Sequence, residues 1–97
     1  MGQEILSIAV FELVAGDESE ALATLRDLML ALAAKGYSRD SLHRDSKGAS
    51  YILIRHWTSE DTRRAALEDP EILRFWARLG HLIRTSLVYE KLDEVRM

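Results

Sequence analysis

The 97-residue sequence contains no cysteine, which excludes disulfide bonds, thiolate metal sites and a cysteine nucleophile. It has no apolar run near the ~20 residues that a membrane-spanning helix needs. Positive charge is not in excess either, since 13 Lys and Arg stand against 16 Asp and Glu, for a net charge of -3. This balance offers no electrostatic attraction for nucleic acid or an anionic membrane, so neither is expected as a partner.

The first residues, Met-Gly-Gln-Glu-Ile, lack the basic and apolar regions of a signal peptide. Together with the absence of cysteine, this predicts a cytoplasmic protein. Hydrophobic residues make up 47% of the chain and charged residues 30%, which is the balance of a globular protein. The length suits one domain, and we therefore assign residues 1–97 to a single domain.

The periodicity of apolar residues predicts seven secondary-structure elements. The predicted strands are residues 4–14, 37–45, 49–57 and 85–92, and the predicted helices are residues 18–35, 59–67 and 70–83. Asp17, followed by Glu20, is expected to cap the first helix, and Ser59 is expected to cap the second. Pro70 suits the first position of the third helix.

The order β-α-β-β-α-β, with its second helical region broken at Pro70, predicts a ferredoxin-like α+β sandwich with a four-stranded antiparallel sheet. Apolar side chains occupy both faces of the predicted strands. In the third strand, one face carries Tyr51, Leu53, Arg55 and Trp57, and the other carries Ile52, Ile54 and His56. The helices can cover only one face. We therefore predict a homodimer whose sheets pack face to face, since an open apolar sheet would be a large adhesive patch.

Four segments resemble the antibiotic biosynthesis monooxygenase (ABM) superfamily, whose members are dimeric α+β barrels. These segments are the Val14-Ala15-Gly16 turn before an acidic helix start, Gly36 ahead of the second strand, Trp57 ending the third strand with Ser59 after it, and the Glu68-Asp69-Pro70 break. The resemblance covers roughly residues 5–92. It implies activities that include cofactor-independent oxygenation of aromatic polyketides, quinol oxidation, haem breakdown and turnover of a small signalling molecule.

Within this resemblance, Trp57 matches the tryptophan that lines the substrate cleft of the polyketide oxygenases. The asparagine that those enzymes carry four residues earlier is Leu53 here. Their tyrosine six residues later is Arg63. The resemblance therefore implies an aromatic cleft beside Trp57, with different polar groups around it.

The haem-degrading members of the family need an asparagine on the first strand, a tryptophan in the short helix and an axial histidine in the last helix. The matching positions in this sequence are Ala9, Ala66 and Trp76. Many members also place a histidine at the position of Ala66. Haem breakdown by that mechanism is therefore not expected, and haem held by a histidine elsewhere ranks last among the hypotheses.

Five residues are candidates for binding a flat aromatic substrate, and they are Trp57, Trp76, Arg55, Leu53 and Arg63. The two tryptophans would hold the ring, and either arginine would stabilise an anion formed on it. Four of the candidates have a structural alternative: the tryptophans as core residues, Arg55 as the partner of Glu12 or Glu90 on a neighbouring strand, and Arg63 as part of a solvated helix surface. The sequence identifies no catalytic base.

The three histidines do not have the spacing of metal ligands, and no carboxylate pattern completes a site. His81 is expected on an exposed polar stripe, His56 at the dimer face, and His43 on the polar second strand. We therefore expect no metal and no cofactor.

Two hypotheses of function remain open. The first is a cofactor-independent monooxygenase acting on a small aromatic or quinol-like substrate, and the second is a non-catalytic homodimer that binds a small ligand or a partner protein. An RNA-recognition module shares the order of elements, but its third strand carries aromatics flanked by basic residues. The segment Tyr51–Trp57 of this acidic chain lacks that pattern.

Overall fold

A computed structural model of the protein describes residues 5–97. Its strands are β1 (Ile5–Leu13), β2 (Ser38–Arg44), β3 (Tyr51–Trp57) and β4 (Ile83–Asp93), and its helices are α1 (Glu18–Ala34), α2 (Glu60–Glu68) and α3 (Pro70–Leu79). The strands form one antiparallel sheet in the order β2-β3-β1-β4. This confirms the predicted ferredoxin-like α+β fold. The first strand was predicted to begin at residue 4, which lies outside the described residues. Residues 1–4 of the segment used for the signal-peptide prediction also lie outside them.

The boundary between the last helix and the last strand differs from the prediction. The helix was expected to reach residue 83, but α3 ends at Leu79 and β4 already begins at Ile83. Leu82 continued the helical spacing of apolar residues, yet it lies buried in the turn. There its backbone donates to Leu79 and accepts from Val14, which fixes the turn against the end of β1. Burial in a turn therefore produced the same pattern as a helix.

Asp17 occupies the N-cap position of α1 as predicted, although without the expected capping contact, and the cap predicted for α2 is confirmed. The side chain of Asp17 accepts no capping hydrogen bond. Instead, the Glu18 carboxylate accepts from the backbone N–H of Gly16 at 3.0 Å, where the chain turns at a φ of 92° that favours glycine. At α2, the hydroxyl of Ser59 accepts from the backbone N–H of Thr62, and the Thr62 hydroxyl accepts from the backbone N–H of Ser59.

Asp69 joins three elements at the break between α2 and α3. One carboxylate oxygen accepts from the backbone N–H of Glu71 and so caps α3, which starts at Pro70 as predicted. The other oxygen accepts from the Lys35 ammonium and from the Tyr37 hydroxyl, both at 2.8 Å. The hydrogen bond from Lys35, followed by that from Tyr37, lowers the pKa of Asp69 to about 2. Its ionised form thus ties α3 to the segment between α1 and β2.

The helices cover one face of the sheet, and the side chains divide between the faces as predicted. Leu53, Arg55 and Trp57 are buried beneath the helices, whereas Ile52 and Ile54 on the opposite face are not. The largest fully buried apolar side chains of the core are Phe11, Leu25, Leu28, Leu32 and Ile72. No helix within residues 5–97 is long and apolar enough to cross a membrane.

The opposite face, which we call the open face, is apolar and is covered by none of the helices. Register places Leu87 beside Val10 and Tyr89 beside Ile8 on this face. Its apolar side chains are Leu6, Ile8, Val10, Ile52, Ile54, Leu87, Tyr89 and Leu92. None of them is buried, and Leu87 and Tyr89 are 45% and 47% exposed.

Candidate functional site

A cavity of about 320 Å³ lies between the sheet and the helices α2 and α3. Strands β1, β3 and β4 form its floor, because every second side chain of a strand faces the helices; Ile8 also borders the cavity, although its side chain belongs to the open face. The residues that line it are Ser7, Ile8, Ala9, Leu53, Arg55, Trp57, Arg63, Leu67, Trp76, Val88 and Glu90. All five residues proposed from the sequence, Trp57, Trp76, Arg55, Leu53 and Arg63, are therefore brought together around one cavity. That they bind a substrate stays a prediction.

Trp57 is both a core residue and a wall of this cavity. Its side chain is 7% exposed and packs within the hydrophobic core. The indole N–H donates to the hydroxyl of Ser7 at 2.7 Å, and that hydroxyl donates to the backbone carbonyl of Glu90. This chain of hydrogen bonds joins β3, β1 and β4, so the ring plane of Trp57 is held in one orientation. Trp57 can therefore be a core residue and also line a cavity, so these two interpretations do not exclude each other.

Trp76 comes from α3 and is half-buried between two cavities. The second cavity, of about 410 Å³, shares Ala9, Leu53, Arg55 and Trp76 with the first. Space between sheet and helices therefore continues past Trp76 toward the turn at Gly80. A flat ligand entering the first cavity would meet indole rings from the sheet and from a helix.

Arg55 is paired within the wall of the cavity, but its partner was not foreseen. The expected pairing with Glu12 or Glu90 is wrong, since the partner is Asp40, which lies directly opposite on β2. Nε of Arg55 donates to both carboxylate oxygens at 3.0 Å, and Nη2 donates to one of them at 2.8 Å. The Asp40 side chain is fully buried, and the guanidinium carbon of Arg55 lies 5.4 Å from the ring centroid of Trp57. Asp40 compensates most of the positive charge that Arg55 brings to the cavity.

Arg63 reaches the cavity from α2 and is also held by a carboxylate. Its Nε and Nη2 donate to the two oxygens of Glu60 at 2.9 and 2.8 Å. This hydrogen bonding lowers the pKa of Glu60 to about 2 and raises the pKa of Arg63. The Lys91 ammonium lies 3.6 Å from the same carboxylate. The rim of the cavity between α2 and β4 is therefore a set of alternating charges.

The sequence argument did not name six of the lining residues as site residues, which are Ser7, Ile8, Ala9, Leu67, Val88 and Glu90, and it also missed Asp40, the partner of Arg55. Ser7 and Asp40 act across strand pairs, which depend on register, and Leu67 lies on the exposed side of a short helix. Glu90 was considered only as a partner of Arg55. The signal that would have found Asp40 is the hairpin between β2 and β3, whose register can be counted from the turn.

The histidines contribute nothing to this cavity. His81 lies exposed in the turn after α3, as expected, and His43 hydrogen-bonds to Ser41 on β2. His56 lies on the open face, as predicted. Within residues 5–97, no group of three His, Cys, Asp or Glu side chains is placed to hold a metal ion.

Comparison of the fold with solved structures finds close matches over almost the whole chain. One is SnoaB from Streptomyces nogalater, described as a cofactor-independent oxygenase, at 24% identity with a TM-score of 0.75, covering 98% of this chain and 95% of that one. Another is described as an antibiotic biosynthesis monooxygenase, at 16% identity and a TM-score of 0.78, covering 95% and 99%. A protein of unknown function from Bacteroides thetaiotaomicron matches with a TM-score of 0.80 at 10% identity, covering 97% and 100%.

These matches confirm the ABM resemblance at the level of the fold. Identities of 24% and below leave the reaction and substrate open. No protein-family model matches the sequence, and comparison with curated proteins gives no match.

Proposed function

We propose that the protein is a cofactor-independent monooxygenase of the ABM type, acting on a small, flat, aromatic or quinol-like substrate. The observation that carries the proposal is the cavity, whose apolar lining includes two tryptophans from opposite layers of the fold. A pocket of this kind suits a drug-sized apolar ring system with few polar groups. The likeness in fold to a protein described as a cofactor-independent oxygenase supports the same class of reaction.

The chemistry requires little from the protein beyond binding, removal of a proton and exclusion of water. A CH₂ group between two aromatic rings loses a proton, and the resulting carbanion donates an electron to O₂. Recombination and loss of water convert the CH₂ into C=O, so that one oxygen atom enters the product and the other leaves as H₂O. The carbon loses four electrons and O₂ gains four, so no further reductant is consumed. The apolar walls favour such a step because they keep bulk water from the reactive anion.

Both arginines of the site are ion-paired, which bears on the substrate's charge. Arg55 is neutralised by Asp40 and Arg63 by Glu60. The cavity therefore offers no unpaired positive charge from these two residues, and we propose a substrate that is neutral when it binds.

Oxygen consumption with a panel of anthrones and hydroquinones tests the proposal. We expect uptake with at least one anthrone and, in ¹⁸O₂, one labelled oxygen in the product. Leu67→Trp would fill the cavity from an exposed helix position and should lower kcat/KM at least about tenfold, without the cost of altering the buried Trp57. Leu30→Trp on α1, at an exposed position outside the cavity, is the matched control and should retain full activity. Absence of uptake with every substrate, or equal activity in both variants, would contradict the proposal.

The second candidate function is a non-catalytic module that binds a small aromatic ligand in the same cavity. The pairing of both arginines favours it, because a paired arginine stabilises a developing anion less well than a free one. Binding of anthrones without any oxygen uptake by the wild-type protein would support this candidate over the enzyme.

We also propose that the protein is a homodimer through the open face. Eight apolar side chains on this face are unburied, and a second copy of the same face would cover them by twofold symmetry. Light scattering at micromolar concentration should give twice the mass of one 11.1 kDa chain. A monomer under those conditions would rule this arrangement out.

A further inference from the structure

An irregularity in the pairing of β1 with β4 sets the direction of two charged side chains. Leu6 pairs with Leu92 and Ile8 pairs with Tyr89, so Ser7 alone lies opposite both Glu90 and Lys91. Such a β-bulge interrupts the strict alternation of side chains between the two faces. Glu90 lines the cavity, and its neighbour Lys91 approaches Glu60 of α2. Two consecutive residues of β4 are therefore directed to the helical side.

The bulge is held in place by Ser7. Its hydroxyl donates to the backbone carbonyl of Glu90, while it accepts from the indole of Trp57. The same hydroxyl thus fixes the backbone that carries Glu90 and the ring that forms the cavity wall. Glu90 and the aromatic wall are positioned relative to each other by a single side chain.

Glu90 differs from the other ionisable groups that line the cavity. Arg55 and Arg63 are each held by a carboxylate through two donor nitrogens. Within residues 5–97, the Glu90 carboxylate forms no ion pair and no hydrogen bond, since only its backbone carbonyl accepts one. Its carboxylate is therefore free to accept a proton from a bound molecule.

We propose that Glu90 is the general base of this site. This rests on the oxygenase function proposed above and supplies the base that the sequence did not identify. The Glu90 carboxylate removes the acidic proton of the aromatic substrate: the C–H or O–H bond breaks, an O–H bond forms on Glu90, and the electron pair stays on the ring system. The resulting carbanion or phenolate is the species that donates an electron to O₂.

The groups around Glu90 come from four elements. Arg63 faces it from α2 and Lys91 follows it on β4, and both of these cations lie against Glu60, so neither adds an unpaired positive charge beside Glu90. From β1 the facing group is the uncharged Ser7, and from α3 it is the uncharged Trp76. Glu90 is itself solvent-exposed, so the proton it takes up can pass to water before the next turnover.

Proton removal can be measured separately from oxygenation. An anthrone is incubated with the protein in D₂O without oxygen, and NMR follows exchange of its CH₂ protons. We expect wild-type protein to accelerate exchange and Glu90→Gln to lower that acceleration by ~100-fold or more, the usual contribution of a general base. Glu90→Asp should retain part of it, because the carboxylate is kept but withdrawn by one methylene.

The matched control is Glu94→Gln, which changes an exposed carboxylate that does not line the cavity and should leave exchange unchanged. With oxygen present, Glu90→Gln should lower kcat while KM changes little, because the amide keeps the shape of the side chain. Exchange by Glu90→Gln at the wild-type rate, or no acceleration by the wild type, would overturn the assignment of Glu90. Acceleration of exchange that depends on Glu90 but is followed by no oxygen uptake would keep Glu90 as base and refute only the oxygenase function.

Discussion

Replacement of Asp40 by asparagine is expected to destabilise the protein by about 3 kcal/mol, because it leaves a buried arginine without its counterion. The Asp40 side chain is 0% exposed, and that of Arg55 is 8% exposed. Removal of one member of such a pair generally costs about 3–5 kcal/mol. We take the lower end, since asparagine retains one acceptor oxygen and the Trp57 ring 5.4 Å away still attracts the guanidinium.

A double substitution separates the loss of the partner from the worth of the pair itself. Asp40→Leu combined with Arg55→Met removes both charges and fills a similar volume, so the free energy of unfolding should stay within about 1 kcal/mol of the wild type. Urea denaturation at one fixed protein concentration measures all the variants. In a thermal scan the Asp40→Asn loss corresponds to roughly 12–24 °C, at ~4–8 °C per kcal/mol for a domain of this size.

A cost of less than about 1 kcal/mol for Asp40→Asn is the behaviour of a solvated surface pair and would contradict the burial of this one. It would mean that water reaches the guanidinium through the cavity that Arg55 lines. A double variant as unstable as Asp40→Asn would contradict the expected neutrality of the apolar replacement, because the ion pair would then stabilise the fold more than apolar side chains do.

The remaining predictions concern the open face and the junction at Asp69. Ile54→Glu places a charge at the centre of the open face and should convert the proposed dimer to a monomer in light scattering. The control Leu30→Glu on α1 should leave the dimer intact. An Ile54→Glu variant that remains dimeric would contradict the face-to-face arrangement. Hydrogen bonds from Lys35 and Tyr37 lower the pKa of Asp69 from 3.8 to about 2, so its contribution is present above pH 4 and is lost as the pH falls toward 2. Asp69→Asn should therefore reduce the loss of unfolding free energy between pH 5 and pH 2, and an unchanged loss would show that Asp69 is not responsible.

The faces of the strands could be predicted from the sequence because alternation in a strand has a period of two, whatever the strand pairs with. This is why Leu53, Arg55 and Trp57 were correctly placed on one face. The partner of Arg55 depends in addition on register. Pairing of Arg44 with Tyr51 closes the hairpin, and counting four residues from each leads to Asp40 opposite Arg55. The pairing of Asp40 with Arg55 could therefore be read from residues close in sequence, but only once the pair that closes the turn, Arg44 and Tyr51, is known.

The position of Glu90 could not be obtained in this way. β1 and β4 are separated by most of the chain, and their pairing contains two irregularities, one between Leu6 and Ile8 and one between Val10 and Phe11. Each inserts a residue into β4 and shifts the alternation beyond it. A strict period of two therefore fails on β4, where the site acquires its unpaired carboxylate.

The polar groups of this cavity differ from those of the polyketide oxygenases. At the positions where the polyketide oxygenases carry asparagine and tyrosine, this chain has Leu53 and Arg63, and Arg63 is bound to Glu60. An oxygenation driven by the substrate's own electrons needs only a dry aromatic pocket and a base. Among the described residues that line the cavity, Glu90 is the ionisable side chain not already committed to a partner. Loss of its charge should therefore stop proton removal while ligand binding persists, which distinguishes a catalytic cavity from one that only binds.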